Sequence, residues 1–206
     1  MFELNIENDY KAKIDNLRKL IKPVKTFDSA IDATLEVHAI THTSAVSGGT
    51  VPTPCDDLLN DLPEEYYSIT AGPQNKTIAY HLWHIARIED LVGNLPIAEQ
   101  PQVFNEDWLI KLNVDIKDTG NAMTDEEIIN LSKQINKQEL INYRNAVGRR
   151  TREILKSLTP GDLKRKPRAE FLECLVSEGG LLKSKDSIWL KDFGTDIPWQ
   201  DLFCCR

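Results

Sequence analysis

The residues of this chain best able to do chemistry are its four histidines, His38, His42, His81 and His84. They fall in two pairs. His38 and His42 are four apart and His81 and His84 three apart, spacings that bring two side chains to one side of a helix. Stepping about 100° per residue from Phe27 puts His38 and His42 on the side of Ile31 and Leu35, away from Asp28, Asp32 and Glu36. The same construction from Ile78 sets His81 and His84 at the border of a stripe of Leu82, Ile85, Ile88 and Val92, with Trp83, Arg87 and Asp90 opposite. Glu89 falls among Ile78, Leu82 and Ile85, where a carboxylate is costly unless it is paired or serves a site. Three neutral imidazoles with an open position suit one divalent ion, zinc or nickel first and iron(II) next. The competing reading is a set of half-buried structural histidines bonded to backbone or water, with Glu89 paired to Arg144, Arg149 or Arg152.

Other chemistry is not signalled. There is no P-loop, no G-x-G-x-x-G, no G-x-S-x-G and no H-E-x-x-H. The cysteines Cys55, Cys174, Cys204 and Cys205 form no C-x-x-C pair. The net charge of −7, from 25 basic and 32 acidic side chains, disfavours nucleic acid as a partner. The short run Lys164-Arg165-Lys166 reads as a solvated helix end. No window approaches the ~20 apolar residues of a membrane span, and the acidic N-terminus lacks the pattern of a secretory signal. These features predict a soluble cytoplasmic protein with a small-molecule substrate.

The elements that must position the histidines are helices. With 206 residues, 41% apolar and 28% charged, the chain suits one domain over 1–206. Helices are predicted from about Glu7 to Ile21, Phe27 to Val46 and Thr77 to Ala98, the last weakened by Gly93 and Pro96. Four prolines between residues 50 and 73 mark a loop, and a short helix is expected around Trp108. Thr124 with Glu127 forms a capping box. Asn136 with Glu139 opens a long helix, Lys137 to about Leu158, whose stripe is Leu140, Tyr143, Val147, Thr151, Ile154 and Leu158. A further helix covers about Arg168 to Glu178, and the tail 181–206 has no clear period. The predicted class is all-α, an up-and-down four-helix bundle with long loops and an irregular C-terminal tail.

The run His81-Leu82-Trp83-His84-Ile85-Ala86-Arg87-Ile88-Glu89-Asp90, with Thr77-Ile78-Ala79 before it, resembles the DinB-like superfamily. The resemblance implies a four-helix bundle, often a homodimer, with a metal held by three histidines. Relatives include thiol-dependent transferases and isomerases and metal-dependent hydrolases, so a low-molecular-weight thiol is a further implied cofactor. His84, followed by Ile85 and Glu89, matches the family pattern H-[IL]-x-x-x-E. The family's late H-x-x-x-H pair has no counterpart, because no histidine follows His84. Either that site is lost, or His38 and His42 supply the pair from another helix. The ligand set expected on the second alternative is His84, His38 and His42, with His81 as the spare and Glu89 or Tyr80 as outer support. On the first, the chain is a catalytically inactive bundle with a structural or binding role.

Overall fold

The computed structural model describes residues 5–21, 24–71 and 76–179. The tail expected over 181–206 lies outside them. Four helices are long: α1 (Asn5–Leu20), α2 (Phe27–Thr41), α5 (Ile78–Val92) and α8 (Lys137–Ser157). Shorter ones fill the intervals: α3 (Ser44–Ser47), α4 (Pro54–Asn60), α6 (Glu106–Leu112), α7 (Asp125–Gln134) and α9 (Ala169–Glu178). Among the described residues the only sheet is a two-residue pairing, Thr70–Ala71 against Lys76–Thr77. The all-α class is as the sequence predicts, and the four long helices are consistent with a bundle. No helix among the described residues is long and apolar enough to cross a membrane.

Local chemistry explains the boundaries. Thr77 caps α5 by accepting from the Tyr80 amide, Thr124 and Glu127 close the expected capping box on α7, and Asn136 caps α8 through the Glu139 amide. Between residues 50 and 73, Thr53 and Asp56 form a further capping box, and Pro54 sits at its tolerated place in the first turn of α4. The segment expected to weaken α5 instead continues it as a π-helical stretch, Gly93–Ala98, with Pro96 inside. Helix α2 stops earlier than predicted. His42 is its C-terminal cap in an extended conformation, and α3 follows as a separate turn.

The main core lies between α5, α6, α7 and α8. It gathers Trp83, Leu82, Ala86, Leu112, Leu131, Ile135, Leu140, Tyr143 and Val147. Helix α1 packs on α2, and Phe27, Ala30 and Ile31 line one small cavity with Leu155 of α8 and Leu158, its C-terminal cap. The face of α5 is turned from the one its apolar spacing predicts. Trp83, Arg87 and Asp90 are buried, whereas Ile85 and Ile88 are 40% and 41% exposed.

A buried polar knot causes that rotation. The Asp90 carboxylate, fully buried, accepts hydrogen bonds from the Arg87 guanidinium (3.0 Å), the Tyr143 hydroxyl (2.6 Å), the Asn94 amide (2.8 Å) and the backbone amides of Val103 (2.8 Å) and Phe104 (2.9 Å). Arg87 also donates to Gln102 and to the Lys117 carbonyl. A buried ion pair is tolerable when its remaining hydrogen-bonding positions are filled, and here they are.

Candidate metal centre

Helix α2 and its cap present His38 and His42 one turn apart. Their rings stack with centroids 4.2 Å apart and planes inclined by 22°. Helix α5 brings Glu89 to the pair. Its Oε1 lies 3.0 Å from His38 Nε2, and its Oε2 lies 3.0 Å from His42 Nε2. One donor atom from each of His38, His42 and Glu89 falls within 4.8 Å of the others.

The expected third histidine is elsewhere. His84 Nδ1 contacts the Thr119 carbonyl at 2.8 Å, and its ring stacks on Tyr80. His81 is exposed, edge-on to the same tyrosine. The fold therefore brings His38 and His42 together with Glu89, and leaves His84, His81 and Tyr80 as a separate aromatic group. Glu89 stands beside the imidazoles rather than behind them. Its partners are the two histidines, not Arg144, Arg149 or Arg152. The sequence marked Glu89 as an inward carboxylate but gave no sign that α2 would face it.

The electrostatics separate the two kinds of donor. Burial pushes His42, 2% exposed, below the usual histidine range, and this outweighs the Glu89 contact that acts upward. Near neutral pH its ring is therefore uncharged, with a lone pair to offer. Burial would raise the Glu89 pKa, but hydrogen bonds from His38 and His42 and the charge interaction with His42 together hold it well below the usual carboxylate range. Glu89 is an anion four-fifths removed from solvent, with no lysine or arginine paired to it among the described residues.

That imbalance bears on whether an ion fits. Two imidazoles and a carboxylate are a donor set for zinc, nickel or iron. Neighbouring ligands around one ion with bonds of about 2.1 Å stand roughly 3–3.5 Å apart, the spacing of the two 3.0 Å contacts. A divalent cation would supply the positive charge that the buried carboxylate lacks. The second nitrogens, His38 Nδ1 and His42 Nδ1, are buried without a hydrogen-bond partner among the described residues. The residues present fit a mononuclear divalent ion.

Comparison with curated proteins returns no match. A family profile, the DinB superfamily, matches residues 54–178. The matched span holds α4 to α9 with Glu89, His84 and the buried knot around Asp90, while α2 with His38 and His42 precedes it. Since the match takes in more than half of the chain and coincides with its main helical core, this chain belongs to the DinB superfamily.

Proposed function

We propose that this DinB-superfamily chain holds one divalent metal ion, zinc or nickel, on His38, His42 and Glu89, and uses it on a small molecule by hydrolysis or thiol-dependent transfer. The observation that carries the reading is Glu89, a partly buried anion bridging two imidazoles with no lysine or arginine partner among the described residues. A bound ion would supply Lewis acidity.

The chain's own residues do the rest. His42, kept neutral by burial, and His38 offer lone pairs. Glu89 offers charge and, with its side chain 20% exposed beside a 10% exposed His38, leaves the group reachable from the surface. Ile85, one turn before Glu89, and Ile88 add apolar surface on the same helix, which suits a substrate with an apolar part. A homodimer, by family resemblance, and a cytoplasmic setting complete the proposal.

Titration calorimetry of tag-free protein with Zn²⁺ and Ni²⁺ near neutral pH tests it. One ion per chain is expected. Glu89→Ala and His38→Ala should abolish uptake, whereas His84→Ala and His81→Ala should leave it. No stoichiometric uptake by the wild type would make the trio a structural clasp in an inactive bundle.

A further inference from the structure

We propose that α8, which supplies no metal-ligating atom, is the element that positions the histidines of the centre: Gly148 opens the slot that fixes the ring of His42, and Arg144 and Arg152 hold α2 on either side of the pair. The proposal deepens the metal reading and rests on it for the effect on affinity, but the positioning itself holds in the ion-free protein.

The residues concerned share one face of α8. Arg144, Gly148 and Arg152 are spaced four apart, so they lie along one side of the helix. Each makes a contact that bears on the centre. Arg144 Nη2 donates to the Thr41 carbonyl at 2.6 Å, one residue before His42. Arg152 Nη1 donates to the Leu35 carbonyl at 2.9 Å, three residues before His38. The two arginines therefore hold α2 on either side of its histidines. Gly148 lies between them. A Cβ there would stand 2.7 Å from His42 Nδ1, 2.8 Å from its Cε1 and 3.0 Å from Val46 Cγ1. The imidazole thus lies directly against the α8 backbone, in a slot that no other residue type leaves open.

Glycine in the middle of a 21-residue helix is a poor choice on propensity alone. The His42 ring accounts for it. Such outer contacts decide how well ligands are preorganised, and their loss typically weakens metal affinity about 10–100-fold.

The test is Gly148→Ala, which places a methyl in the slot, set against Lys156→Ala at an exposed position of the same helix as a control. Two measurements are made on folded full-length protein: Zn²⁺ affinity by chelator competition, and the imidazole nitrogen signals of His38 and His42 by NMR without metal. Gly148→Ala should weaken Zn²⁺ binding about 10–100-fold and shift the imidazole signals, His42 more than His38, with Lys156→Ala within about threefold of wild type and unshifted. If the wild type takes up no Zn²⁺, the metal reading falls and the imidazole signals alone decide the role of α8. Unshifted signals in Gly148→Ala would overturn it.

Discussion

Glu89 is the residue on which most depends. A carboxamide cannot carry its charge and offers only one acceptor oxygen to two imidazoles. Glu89→Gln should therefore abolish metal uptake and cost about 1–3 kcal/mol in urea unfolding, through a histidine left without its acceptor. An unchanged midpoint would show that the contacts contribute nothing net. The pH dependence follows from two depressed values. His42 titrates below 6.5 in the folded chain, so the unfolded chain takes up its proton first and stability is lost as pH falls below about 6.5. Glu89, held below 4.5, contributes stability that is present above about pH 4.5 and lost as pH falls further. Melting temperature against pH should decline through both windows, and Glu89→Gln should remove the lower one. Gly148→Ala should destabilise the wild type by about 1–3 kcal/mol through overpacking, yet cost little in a His42→Ala background, where helix propensity favours alanine. Equal effects in both backgrounds would place the clash elsewhere.

At the scale of elements, caps and periods were legible where the deciding interaction is local. The capping box at Thr124, the cap at Asn136 and the Leu140, Tyr143, Val147 and Ile154 stripe needed only neighbours three or four residues away. The orientation of α5 was not legible. Counting Arg87 and Asp90 as solvent-facing follows from charge, but Asp90 finds its partners at Asn94, Val103, Phe104 and Tyr143, and Arg87 at Gln102 and Lys117. With those bonds made, burying the charged side exposes Ile85 and Ile88 and carries Glu89 toward α2. Asp90→Ala, which leaves the Arg87 guanidinium buried and unpaired, should cost about 3–5 kcal/mol. A loss below about 1 kcal/mol in chemical denaturation would show that solvent reaches the knot.

For the whole molecule, family and class were readable from a single run, because the pattern around His84 to Glu89 lies within one helix. The donors were only half readable. His38 and His42 announce themselves by spacing, but their third companion comes from a helix 47 residues away in sequence, and long-range pairing leaves no periodic trace. Association is a separate matter, and light scattering at micromolar concentration should give twice the 23.4 kDa of one chain if the proposed dimer forms. A single-chain mass would remove that part of the proposal.

The division of donors between α2, upstream of the family-matched span, and α5, inside it, has a thermodynamic consequence. An ion gripped from both sides is a clasp between the first two helices and the rest of the chain. By linkage, whatever the ion gains from their docking, the docking gains from the ion. Saturation at 100 times the dissociation constant would add about 2.7 kcal/mol against lifting α2 away. Amide exchange in α2 would then slow with added metal and quicken with a chelator, while the core around Trp83 and Tyr143 would change far less. A cell's supply of the ion would thereby set how firmly the leading helices are fastened to the body.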